Sequence, residues 1–405
     1  ALDLIDGATE WEAALIQALP ARHPQPDPLD PEAMKAWNAN FADAMRDVFA
    51  AHPESHEVRT VFAESLLNLT PWKMWDLRSG KPAASARTVE AQTVLEEALE
   101  GDPPAMHPPG LLHLYVHLME MSPFPEKALK AGDALRRLVP DAGHLIHMPT
   151  HIDILCGHYQ NVVDWNEAAV EADLKFYEKR GAFNIYTGYR QHNYHFVIYG
   201  AMFLGQFEPA MRAVQGMAQT TPEEMLRMES PPMADYFESY LSFGPHVLVR
   251  FGRWREATQL ELPDDPDLYC TKAAHVHYAR AIGHAALGEV DAALTAQQLS
   301  DAVVEEFSVG VFEKGPFPDD DSASGLDATS LEGLVFGKIR EFLTEGADQV
   351  EVGRWGVAQA FCAHELWRFL EHRRGLGSDA DERDRARALE ALHQLPAPAR
   401  RLQPA

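Results

Sequence analysis

The sequence predicts an all-α protein built from helix-turn-helix repeats. Three observations carry that reading. Apolar residues recur at helical spacing along most of the chain, no segment shows the alternation of a half-buried strand, and a short glycine-centred phrase returns five times.

The helical segments follow in order. Thr9-Glu10-Trp11-Glu12 fits a capping box, in which Thr9 and Glu12 satisfy each other's backbone N–H before an amphipathic run. Segments 31–50, 54–69 and 87–100 repeat the helical period, as do 110–121 and 125–138. Four further segments, 142–156, 187–204, 235–251 and 266–287, each run up to a glycine corner. Stretches 20–31, 101–109, 228–233 and 314–327 are rich in Pro, Gly or Asp and read as loops, and the tail LPAPARRLQPA reads as frayed.

The repeated phrase places Gly157, Gly205, Gly252, Gly288 and Gly353 between two bulky or polar residues, and five positions later stand Val162, Ala210, Ala257, Ala293 and Ala358. Glycine ends one helix in a left-handed cap, and the small residue lets the next helix pack closely. Spacings of 48, 47, 36 and 65 residues are longer and less regular than the about 34 of an ideal tetratricopeptide repeat. The chain therefore resembles a degenerate α-solenoid of tetratricopeptide-like repeats. It reads as one helical-repeat domain over 1–405, with N-terminal helices at 1–105, core repeats at 106–375, and a C-terminal helix and tail at 376–405.

Composition narrows function. With 35 Lys and Arg against 61 Asp and Glu, the formal charge of −26 opposes nucleic acid and anionic membranes as partners. No apolar run approaches the roughly 20 residues of a membrane helix, and the first residues lack the pattern of a signal peptide, so a cytoplasmic location is expected. Cys156, Cys270 and Cys362 are too far apart for a CxxC knuckle and odd in number for a disulfide framework. Any bound metal should then be held by imidazole and carboxylate.

Histidine supplies that chemistry. His113 and His117, His147 and His151, and His192 and His195 form three pairs at three- or four-residue spacing, which puts both members of a pair on one helix face. All three pairs fall on the first helix of a helix pair, and first helices of stacked repeats face a common cavity. Glu120 stands three residues after His117, His144 three before His147, and Glu64 with Asn68 marks the earlier helix. A ring of Glu64, His113, His117, His147, His151, His192 and His195 is expected if the superhelix is tight enough to close. His246 and His277 sit on later first helices. Pro149 either kinks its helix to aim His147 and His151 inward or divides it into two short helices. Tyr189 and Tyr199 flank His192 and His195, as core residues or as a pocket wall with a phenolic proton to give. Trp72, Trp75 and Asp76 follow the Glu64 helix and are placed at one end of the cavity.

Imidazole suits Cu, Fe and Zn, and six histidines match either two ions with three ligands each or a mononuclear site. Copper or iron comes first and zinc is the alternative. The leading expectation is a metal-dependent oxidase or oxygenase acting on a small molecule in a histidine-lined cavity. The alternatives are a zinc hydrolase, with Glu64 or Glu120 as base, and a repeat scaffold that binds a peptide or protein in its groove. Other signatures fail: there is no HExxH, GxSxG or GxGxxG. LEGLVFGKIR has only three residues between Gly333 and Gly337 and lacks the phosphate-loop hydroxyl, and Asp319-Asp320-Asp321 lacks calcium-hand spacing.

The phrases FAESLLNLTPWKMWD, HLYVHLMEMSPFPEKAL, AGHLIHMPTHIDILCGHY and HNYHF, between Phe62 and Phe196, resemble a group of bacterial tetratricopeptide-repeat-like proteins. The resemblance implies a helical-repeat fold and a shared polar site containing Glu64 and the six histidines. It supplies no activity.

Overall fold

A computed structural model describes residues 2, 5–25, 31–77, 79–100, 107–229 and 233–300. The fifth glycine phrase at Gly353, the loop 314–327, Cys362 and the C-terminal helix and tail lie outside the described residues. By its internal contacts the chain divides into two units, Ala1–Leu241 and Ser242–Ala405.

The first unit begins with α1 (Glu10–Ala18), whose capping box is present: Thr9 N–H donates to Glu12 Oε2 at 2.8 Å and Glu12 N–H to Thr9 Oγ1 at 3.4 Å. There follow α2 (Pro31–Ala51), α3 (His56–Leu67), α4 (Thr88–Leu99) and α5 (Pro109–Met119). A 3-10 turn over Pro125–Ala128 leads into α6 (Leu129–Leu138). Then come α7 (Gly143–His147), α8 (Pro149–Leu155), α9 (Tyr159–Arg180), α10 (Tyr186–Leu204), α11 (Phe207–Gln219), α12 (Glu223–Leu226) and α13 (Ala234–Leu241). The second unit contains α14 (Phe243–Arg250), α15 (Trp254–Thr258) and α16 (Cys270–Ala286). The all-α class holds, and helices adjacent in sequence pack on each other, α9 on α10 and α10 on α11 most extensively. Among the described residues no helix is long and apolar enough to cross a membrane.

Two expectations need correction. A small antiparallel ribbon does occur, pairing β1 (Trp75–Asp76) with β2 (Lys81–Pro82). Two residues per strand are too few to show an alternating pattern, which is why periodicity missed it. The segment expected as a single helix at 235–251 is divided at Ser242, and 142–156, for which a kink or a division was open, is divided at Met148-Pro149. At the latter break Pro149 lacks the N–H that would bond Leu145, so the second reading of Pro149 is the observed one.

The glycine corners share one geometry. Gly157, Gly205, Gly252 and Gly288 have φ between 67° and 80°, a left-handed conformation that glycine adopts without a Cβ clash. In each, the next residue's N–H bonds a carbonyl five positions back: His158 to Asp153, Gln206 to Ala201, Arg253 to Leu248 and Glu289 to His284, all at 2.8 to 2.9 Å. That six-to-one bond is the Schellman closure of a helix end. Five residues on, Val162, Ala210 and Ala257 are fully buried, as close packing of the following helix requires. The apolar core gathers Phe62, Leu66, Leu95, Leu111, Leu112, Leu118, Met119 and Leu135. Its hydrogen bond to the site region comes from Trp75, whose indole N–H donates to the Leu118 carbonyl at 2.8 Å.

Candidate metal centre

Four helices carry the histidines inward. On α5, His113 and His117 stand one turn apart with ring centroids 4.5 Å apart. The α7–α8 break brings His144, His147 and His151 onto one side, and α10 contributes His192. A close helix crossing makes this possible. A Cβ on Gly143 would lie 2.2 Å from Asp173 Oδ1 and 2.7 Å from the Ala169 carbonyl, so only glycine lets α7 lie this near α9.

The result is two triads, His113/His117/His144 and His147/His151/His192, each with one nitrogen per ring within 4.8 Å of the others. The first is half-buried and the second fully buried. Nε2 of His113 and Nε2 of His144 are 3.1 Å apart. In the buried triad Nε2 of His151 lies 2.9 Å from Nε2 of His147 and 3.4 Å from Nε2 of His192.

Hydrogen bonds behind the rings decide which nitrogens hold protons. Thr150 Oγ1 donates its single hydrogen to the His147 carbonyl at 2.6 Å, so it can only accept from Asn166 Nδ2 at 3.0 Å. Asn166 Nδ2 also donates to the Val162 carbonyl at 2.7 Å, which leaves Asn166 Oδ1 facing His147 Nδ1 at 2.6 Å. An amide oxygen accepts only, so Nδ1 of His147 carries the proton and Nε2 is bare. Glu120 does the same for two more rings. Its Oε1 accepts from His117 Nδ1 at 3.1 Å and its Oε2 from His151 Nδ1 at 2.7 Å. As neutral rings with Nδ1 protonated, His147 and His151 therefore turn their Nε2 lone pairs towards each other, an arrangement suited to a shared cation.

Burial favours the neutral form of His113, His144, His147 and His192. It pushes His113 down to about 2 and His144 to about 3, with the neighbouring imidazoles adding to the effect, and holds His147 and His192 well below the ordinary histidine value. A neutral imidazole with an unprotonated nitrogen is the state a transition metal needs. The site is thus pre-set for a cation by donors whose partners lie outside it.

Not every expected residue joins. His195 is buried on α10 but stands outside both triads, its ring 6.1 Å from that of His192 and 6.3 Å from those of Tyr199 and Tyr240. Glu64 pairs instead with Arg22 at 3.6 Å and accepts from Asn68 at 3.3 Å, with its side chain nearly half exposed. Its helix turns Phe62, Ala63, Ser65, Leu66 and Leu67 into the core and leaves Glu64 on the partly exposed side. Tyr189 packs its ring 4.7 Å from that of His144. His246 and His277 belong to the second unit.

Sequence reasoning placed His144 only as a companion, and its three-residue offset from His147 was the signal that could have ranked it as a ligand. Asn166 and Thr150 were missed, because a single Asn on the following helix carries no spacing signature. Searches for relatives find no matching protein-family model and no matching curated protein.

Proposed function

We propose that the chain is a metal-dependent enzyme of tetratricopeptide-like repeat architecture, an oxidase or oxygenase that holds copper or iron in its histidine triads and acts on a small molecule. The observation that carries this reading is the set of bare Nε2 atoms, on His117, His147 and His151, fixed by acceptors at their Nδ1 atoms. The Schellman-closed glycine corners support the repeat architecture and the resemblance of the Phe62–Phe196 segment. The ligand set is all imidazole, with the Glu120 carboxylate turned to Nδ1 atoms, which favours copper over the carboxylate-rich sets that iron prefers.

When bound, copper or iron supplies one-electron chemistry and the activation of dioxygen. The chain does the rest. The half-buried triad gives a substrate its approach, and Tyr189 beside His144 offers a ring wall and a phenolic proton there. The buried triad and the surrounding Phe196, 4.7 Å from the rings of both His147 and His151, exclude water from the second set of ligands.

Elemental analysis of protein made without a histidine tag, from cells supplied with Cu, Fe and Zn, tests the reading. Copper or iron at one equivalent or more per chain is expected. Zinc in their place would move the function to hydrolysis, and transition metal well below one equivalent would sink both.

A further inference from the structure

Glu120 is the feature that the histidine pattern does not explain. It is a carboxylate with a side chain only 2% exposed, and its two oxygens serve one ligand from each triad: His117 of the half-buried set and His151 of the buried set. A buried carboxylate is costly unless charges or donors compensate it. Two imidazole N–H groups supply such donors, and a positive ion behind each ring would strengthen both bonds.

Resting on the metal reading above, we propose that the protein holds two ions, one per triad, and that Glu120 is the shared positioning residue that keeps both triads in the ligating tautomer. A carboxylate oxygen facing each ring accepts from Nδ1, which leaves Nε2 as the ligating nitrogen of each neutral imidazole. Its role is therefore played through His117 and His151, not on the substrate. The two hydrogen bonds are unequal. The 2.7 Å bond reaches His151 in the closed interior, and the 3.1 Å bond reaches His117, whose side chain is 23% exposed.

That inequality makes Glu120→Gln a sharp probe. The amide has the same shape, but one of its two atoms becomes a donor. A donor facing Nδ1 forces the ring to move its proton to Nε2, and a protonated Nε2 cannot bind metal. The amide oxygen stays with the closer, more buried His151, so His117 loses its ligating form. One ion leaves and the other stays with His147, His151 and His192.

Metal retained per chain, measured on full-length wild-type and variant proteins purified alike with circular dichroism and thermal melting as fold controls, tests this. Two ions are expected for wild type, and one each for Glu120→Gln, His113→Ala and His192→Ala. None is expected for Glu120→Gln combined with His192→Ala. A folded Glu120→Gln that keeps two ions, or loses both, overturns the proposal. So does a wild type with a single ion, which would leave the metal reading intact. Absence of any transition metal from wild type would instead remove that reading itself. If Glu120→Gln fails to fold, the two histidine variants decide alone: retention of two ions or of none by either overturns the two-site arrangement.

Discussion

Among individual residues, the strongest determinants of the site are groups that would never touch a metal. Asn166 is fully buried, and every one of its side-chain polar atoms is committed: Oδ1 to His147, Nδ2 to Thr150 and to the Val162 carbonyl. Replacing it with leucine keeps the volume but strands the His147 N–H. A buried donor without a partner costs about 1–3 kcal/mol. The ring would recover a bond by moving its proton to Nε2 and donating to His151 at the 2.9 Å contact, which removes a ligand. Asn166→Leu is therefore expected to weaken metal binding by about 10- to 100-fold, the range typical of lost outer-shell partners, as read by titration against a competing chelator. Unchanged affinity would show that the proton on His147 is not set by Asn166. The three histidine pairs were legible because a ligand must repeat at helical spacing to share a face. Asn166 was not, since an acceptor behind a ring needs only one position on a neighbouring helix, and no pattern in the chain marks which one.

At the scale of elements, the site depends on how closely α7 approaches α9. Gly143 opens α7, and a methyl group there would meet a backbone carbonyl as well as the Asp173 side chain. Asp173 is not free to swing away, because it accepts from Asn193 at 2.8 Å on α10. Overpacking of this kind costs about 1–3 kcal/mol, and here the displacement falls on the helix that carries His144 and His147. Gly143→Ala should lower the unfolding free energy read from urea titration by that amount and reduce retained metal together. A loss of stability with full metal content would separate the crossing from the site. Helix boundaries were mostly legible from apolar period and caps, including the Thr9 capping box and the glycine corners. The breaks at Met148-Pro149 and Ser242 were open or unseen, because a divided helix keeps the same apolar period as a continuous one and only packing shows where its axis turns.

For the molecule as a whole, the buried histidines make the metal-free fold acid-sensitive. His113, His144 and His195 have values pushed by burial to between about 2 and 3, against 6.5 when unfolded. In that interval the unfolded chain takes up protons that the folded one refuses, so stability is present above 6.5 and is lost as pH falls towards 3. Each group contributes at most about 1.4 kcal/mol per pH unit. Asp173 acts in the opposite sense: burial raises it to about 7, so its folded form binds the extra proton and offsets one histidine over the same range. The melting temperature of metal-free protein should fall steadily from pH 6.5 downward. A flat profile would contradict the neutral buried rings. By itself the sequence determined the all-α class, the glycine corners and the set of histidines from which ligands would come, since each depends on local period and on backbone conformations particular to glycine. Only the tertiary structure decided the grouping: His144 joined a triad while His195 and Glu64 did not, and Glu120 came to lie between the two. Helix spacing fixes which face a side chain shares, but the distance between faces is set by packing across helices, and the partners behind His147 and His151 come from other helices.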